Sequence, residues 1–227
     1  LYTRSKKRGD VNEILQILVE HGATEEILID AHPHIGTNKL PKVIQSFREL
    51  LINADVKFHF HCRLDDWSLD GDSLVLKTSN QGAISVGAMV LATGHSANDT
   101  YDLLLRKGLN VMPKPFAMGV RVEHPQQLID EIQYGTYAGH PSLGAAPYRL
   151  KRTVNSIGTF SFCMCPGGFM VASSTADGQV VVNGMSPSRR DSVFANSGMV
   201  VSIDAGRFQG HPRAALAFQE QLETRAF

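Results

Sequence analysis

Cys163 and Cys165 stand two residues apart in Phe162-Cys163-Met164-Cys165-Pro166-Gly167-Gly168, the pair in this chain best suited to redox chemistry. On an extended strand such residues share a face with Cα atoms about 6.6 Å apart, near the upper limit for a disulfide. Joining them needs a bend, which Pro166-Gly167-Gly168 can supply. The plain alternative is a pair of buried, unreactive thiols. Zinc needs two further ligands at a recognisable spacing, and Cys-x-x-Cys does not occur, so no metal is expected. His32 and His34 flank Pro33 at a spacing some metal ligands share, a pattern too short to specify a site. His95 follows Thr93-Gly94 and can donate a hydrogen bond or pass a proton. A loop histidine satisfied by neighbouring backbone is the other reading. Arg121 and Glu123 share one strand face, with Val120, Val122 and His124 on the other. Arg121 can orient an anionic group, or pair with Glu123. No Ser-His-Asp order, nucleophile elbow or P-loop occurs, so hydrolase and nucleotide-triphosphatase readings fall away.

These residues must be held by elements the pattern predicts. Ala88–Leu91 is a short apolar run stopped by Thr93-Gly94, and it reads as a buried strand of parallel type. Ser96 and Asp99 suit the start of the next helix, Arg106 and Lys107 its last turn, and Gly108 its C′ position. Strand, turn and helix N-terminus together bring backbone amides to a ligand, or form an ordinary structural crossover. Upstream, Val56–Cys62 alternates with period two as a half-buried strand does. Leu64–Leu69, Ser73–Ser79 and Ala83–Val86 then form a small meander, with turns at Gly71 and Gln81-Gly82. Val11, Ile14, Leu15 and Leu18 give one helical stripe closed by Gly22. Leu40, Val43, Ile44, Phe47, Leu50 and Leu51 give another.

Eight of the ten prolines and twelve of the twenty glycines lie at Pro113 or later, so the domain boundary is placed at Pro113-Lys114-Pro115. Beyond it the pattern is mostly β. Phe116–Glu123, Tyr148–Val154, Thr159–Met164, Phe169–Ser174, Val180–Asn183 and Met199–Ile203 read as strands. Gln126–Tyr134 reads as a helix, and another starts at about Pro212. Basic and acidic residues balance at 22 each, so the global field favours neither nucleic acid nor an acidic membrane. Arg4, Lys6, Lys7 and Arg8 are a local cluster of a solvated end. No run approaches the ~18 apolar residues of a membrane span, and the first residues lack a signal-peptide core. Three cysteines form no secreted framework, and a cytoplasmic protein is expected.

Six blocks carry a resemblance: Leu1–Arg4, Pro33-His34-Ile35-Gly36-Thr37-Asn38, Leu91–Tyr101, Lys114–Pro125, Phe162–Gly168 and Asn183-Gly184-Met185-Ser186. In this order they resemble a bacterial family of FAD-dependent dehydrogenases, often called NAD(FAD)-utilising dehydrogenases, over nearly the whole chain. The order helix, strand, meander, Ala-Thr-Gly strand, helix is similar to the second half of the FAD-binding domain of glutathione-reductase-type flavoproteins. The resemblance implies an α/β (α+β overall) protein. Residues 1–113 would be a partial FAD/NAD(P)-binding Rossmann-like domain, and 114–227 a mainly antiparallel β substrate or cap domain. It implies an oxidoreductase with FAD as cofactor, NAD(P)H a candidate electron donor, and a small-molecule substrate it does not specify. Backbone at Arg63 and Leu64 would meet the adenine side, and Ala92, Thr93 and Gly94 would pass beneath the cofactor. Gly167 and Gly168 would bring backbone close to the isoalloxazine, or to another strand. With a flavin nearby, Cys163 and Cys165 would be its redox partners, His95 its hydrogen-bond or proton donor, and Arg121 a clamp for substrate or phosphate.

One expected part is missing. No two glycines in the chain are spaced Gly-x-Gly, so the turn that holds a dinucleotide pyrophosphate is absent. The chain therefore reads as the middle of a larger protein and is expected to bind FAD weakly or not at all by itself. The alternative is a non-catalytic binding or interaction module that keeps the fold without the cofactor. Oligomeric state is not legible.

Overall fold

The computed structural model describes residues 9–30, 32–94, 96–173 and 176–227. Its elements, in chain order, are α1 (Val11–Glu20), α2 (Leu40–Asn53), β1 (Leu64–Asp70), β2 (Ser73–Thr78), β3 (Gly82–Val86) and α3 (Asn98–Arg106). There follow β4 (Phe116–Pro125), α4 (Gln126–Tyr134), β5 (Lys151–Val154), β6 (Ile157–Cys165), β7 (Phe169–Ala172), β8 (Val182–Met185), β9 (Phe194–Ile203) and α5 (Pro212–Ala226). The chain forms two compact units. One holds the residues up to Asp55, Pro115–Asp204 and Ala226–Phe227; the other holds Val56–Lys114 and Ala205–Arg225. The crossing at Lys114/Pro115 falls on the Pro-Lys-Pro connector. The crossing at Asp55/Val56 groups the first two helices with the later sheet.

The smaller unit, 56–114 with 205–225, is built on the antiparallel meander β1-β2-β3. Helix α3 ends in a Schellman motif. Gly108, at φ +72°, donates to the Leu105 carbonyl, and Leu109 donates to that of Leu104. Lys107 in that last turn pairs with Asp66 and lies over the Trp67 ring, 5.6 Å from its centroid. The helix begins at Asn98 with Ala97 as N-cap, one residue later than a Ser96 cap would set it.

Two expected strands do not form. Neither 56–62 nor 88–91 is a strand, and every strand pair among the described residues is antiparallel. A parallel strand exists only as a member of a sheet, because its amides bond to neighbours on either side. No described strand flanks these runs. They stay open, the first with a turn at Phe60-His61 and Phe58 stacked on Phe60 at 6.0 Å, the second with Val90 91% exposed. Among the described residues the expected Rossmann-like arrangement is not seen; the architecture is mixed α and β with antiparallel sheets.

In the larger unit a four-stranded sheet runs β4-β9-β6-β5. Strand β9 pairs with β4 along all ten residues, from Phe116↔Ile203 to Pro125↔Phe194. Its N-terminal half, Asn196-Ser197-Gly198, has weak strand propensity and was not expected in the strand. Burial between β4 and β6 overrides propensity there, and Asn196 and Ser197 are fully buried. A two-stranded ribbon, β7-β8, belongs to the same unit. So do α1 and α2. Asp10 caps α1 by accepting from Asn12 N at 2.8 Å, and Gly22 closes it at φ +101°. Pro41 sits in the first turn of α2, where its missing N–H costs nothing. These helices and the 3-10 turn Glu25–Leu28 enclose a cluster of Ala23, Ile27, Ile35 and Val43, with Leu15, Leu18, Val19 and Phe47 against it.

Ile27 is fully buried in this cluster, whereas Ile14 of α1 is 58% exposed. Ile27→Ala is expected to cost about 2–5 kcal/mol in urea denaturation, through lost burial and a residual cavity. Ile14→Ala is expected to cost under about 1 kcal/mol, an exposed position away from the core.

Candidate functional site

The larger unit contains a cavity of about 260 Å³, where the loop His34–Thr37, the end of β6 with its Pro166 turn, and Gly184–Ser186 meet. Three of the six motif blocks thus converge on one place. Each wall is held by specific bonds. Strand β6 shifts register between Phe162 and Cys165, and Cys163 lies in that bulge at φ +47°. Gly167, at φ +49°, then turns the chain, and a Cβ there would overlap the Arg190 carbonyl. The turn's amides are all used. Gly167 N donates to Gln126 Oε1 at 2.7 Å and Gly168 N to Phe194 O at 2.8 Å. Ser186 Oγ donates to Pro166 O at 2.9 Å.

The opposite wall is zipped to residues 186–188. Thr37 donates to the Ser186 carbonyl twice, from N at 3.0 Å and from Oγ1 at 3.1 Å. Asn38 exchanges bonds with Ser188, accepting from its N at 2.8 Å and donating to its Oγ at 3.3 Å. His34 Nε2 donates to Pro187 O at 3.0 Å, which leaves Nδ1 as the unprotonated nitrogen of a neutral ring. Ile35, next in the chain, is buried in the helical cluster and anchors the loop from behind.

Behind Gly184 lies a polar group. Arg121 Nη1 donates to Asn196 Oδ1 at 2.6 Å and to the Cys163 carbonyl at 3.2 Å. Only glycine fits at 184, because a Cβ would run into Asn196 Oδ1, Arg121 Nη1 and Cys165 Sγ. Glu123 does not pair with Arg121; it accepts from Met170 N at 3.0 Å and ties β4 to β7. Burial pushes the Cys163 thiol up, with Arg121 pulling it down and Cys165 adding a smaller upward push. Burial likewise lowers the His34 pKa, its bond to Pro187 opposing and the Arg190 charge assisting.

The structure brings Cys165, Arg121, Gly167 and Gly168 around one place and adds His34 to them. Cys163 and Cys165 are free thiols, and Cys165 Sγ donates to the Cys163 carbonyl at 3.4 Å. The close approach permitted by Gly167 and Gly168 is made to the chain's own backbone, at Arg190 and Met185. Arg63 and Leu64 belong to the other unit. There the Arg63 guanidinium pairs with Asp65 at 2.7 Å, and its backbone bonds with Ser79. Ala92, Thr93 and Gly94, also in that unit, are exposed, and His95 lies outside the described residues. Sequence reasoning missed Gln126, Asn196 and Arg190. Gln126 and Asn196 are nearly and fully buried, and an isolated buried amide carries no sequence signal. Among the described residues no group of three or more His, Cys, Asp or Glu is placed to hold a metal, and no helix is long and apolar enough to cross a membrane.

Residues 115–227 match the family described as FAD-dependent protein, C-terminal domain-like. The chain is also 39% identical, over 217 residues, to an uncharacterized protein of Clostridium beijerinckii. That match covers 94% of this chain and 41% of the relative, so the chain spans less than half of the relative's length. At this level the chain is similar to FAD-dependent proteins.

Two outcomes follow from the bonding. Gln126 also donates to Asp130 at 2.8 Å and to Ala146 O at 3.1 Å, so Gln126→Ala strands a buried amide. It is expected to cost about 1–3 kcal/mol in chemical denaturation. His34 and His124 are both pulled below 6.5 by burial. The unfolded chain then binds protons more readily, so stability falls as pH drops through about 6.5. Melting temperature measured across that range is expected to decline, and His34→Gln to flatten part of the decline.

Proposed function

We propose that this chain is a portion of an FAD-dependent oxidoreductase, in which residues 115–227 form the substrate or cap domain. The observation that carries the reading is the match of 115–227 to the C-terminal domain-like region of FAD-dependent proteins. Bound FAD supplies the hydride or electron transfer, while the protein contributes binding, orientation and exclusion of water.

The residues present fit that cofactor at one stretch. Ala92-Thr93-Gly94 is exposed, and at Gly94, φ +75°, no described residue beyond the chain neighbours comes within 4 Å of where a Cβ would lie. A flat cofactor can lie against such a stretch. Arg63 fits less well, since its guanidinium and its backbone polar groups already have partners within the chain. The Pro166-Gly167-Gly168 turn serves to hold the cavity wall, leaving Cys165 as the cavity-facing thiol. NAD(P)H is the proposed electron donor.

The test is the visible absorption spectrum of the full-length protein that carries this sequence. Flavin bands that bleach on anaerobic addition of NADH or NADPH are expected. A protein that stays colourless after FAD is added would sink the oxidoreductase reading. Flavin bands that neither nucleotide bleaches would remove NAD(P)H alone.

A further inference from the structure

We propose that the cavity bounded by the His34–Thr37 loop and Arg190 binds a small organic acid, its apolar body between Ile35, Leu40, Met164 and Met185 and its carboxylate on Arg190. This goes beyond the flavin reading and does not depend on it, because every residue invoked belongs to the larger unit of this chain.

The lining of the cavity is uneven in charge. Among the described residues it contains an arginine and a histidine but no Asp or Glu. The hydroxyls that border it are committed, Thr37 Oγ1 to the Ser186 carbonyl and Ser186 Oγ to the Pro166 carbonyl. The His34 Nε2 proton is committed to Pro187. Arg190 is different. Its Nε is a buried donor with no hydrogen-bond partner, and it has no carboxylate within 4 Å among the described residues. The adjacent Arg189 takes the nearby acid instead, meeting Asp191 at 3.1 Å while itself 85% exposed. An arginine in the lining without a carboxylate partner, and no lining acid among the described residues, call for an acceptor-rich, negatively charged ligand.

Arg190 is also held in place. It adopts φ +53°, an uncommon left-handed conformation for a residue with a Cβ. Its N donates to Pro187 O at 3.1 Å, and its carbonyl packs on the bare Cα of Gly167. Size sets the rest. A volume of about 260 Å³ gives room for a short hydrocarbon or single-ring acid.

The test is calorimetric titration of the full-length protein with hexanoate, benzoate, the matched amides hexanamide and benzamide, and inorganic phosphate. At least one acid is expected to bind ten times more tightly than its amide. Arg190→Gln should abolish that preference, and Arg189→Gln should leave it intact. Acid binding should also slow alkylation of Cys165, read by peptide mapping on the unaltered protein, so the proposal can fail even if Arg190→Gln does not fold. Equal binding of acid and amide, no binding of either acid, or phosphate binding as tightly as the acids would overturn it. A preference that survives in Arg190→Gln would overturn it too. If only flavin-free protein binds the acids, the cavity belongs to the cofactor and the proposal fails. Acid binding by a protein that takes up no flavin would support this site while ending the flavin reading.

Discussion

The buried amide of Asn196 constrains everything packed on its side of the four-stranded sheet. It lies fully enclosed in the central strand β9, and its oxygen is satisfied by Arg121 from the neighbouring strand. An unpaired buried carbonyl would cost about 1–3 kcal/mol, so the arginine must stay. A guanidinium at that depth leaves no room for a side chain above it, and β8 meets the requirement with Gly184. The register of β8 is thereby set, and with it the positions of Met185, Ser186 and the turn that presents Arg190. A polar requirement in the sheet thus determines the shape of an apolar-walled cavity above it.

The same unit shows how a local irregularity is put to use. A regular strand through Phe162–Cys165 would aim both thiols at one face. The bulge at Cys163 breaks that alternation and frees its carbonyl to accept from both Arg121 and Cys165. Cys163 therefore acts here as an anchor through its carbonyl, and Cys165 as part of the cavity wall.

Local signals were legible in the sequence, and partner-dependent ones were not. Helix α4 starts after Pro125 and stops before Gly135 because both signals lie within the segment, and α5 starts at Pro212 for the same reason. The meander was readable from its turns. The runs 56–62 and 88–91 carry strand-like patterns yet form no strand, because alternation specifies a face and cannot supply neighbours. Strand β9 departs in the opposite direction: Asn196-Ser197-Gly198 lies outside the expected strand Met199–Ile203, and flanking by β4 and β6 makes it strand. The motif blocks at 33–38, 162–168 and 183–186 were visible as blocks. Their convergence was not, since no rule of spacing joins residues so far apart, and Arg190 matters only once they converge.

The docking of Asn38 on Ser188 spans 150 positions of sequence. A ribosome adding about 5–20 residues per second needs roughly 8 to 30 s to cover that distance. For all that time the loop at 34–38 has no mate, while the whole of the other unit's first segment, 56–114, emerges in between. Maturation of the larger unit is therefore gated by translation, and the interval is long enough for chaperones to engage the waiting loop.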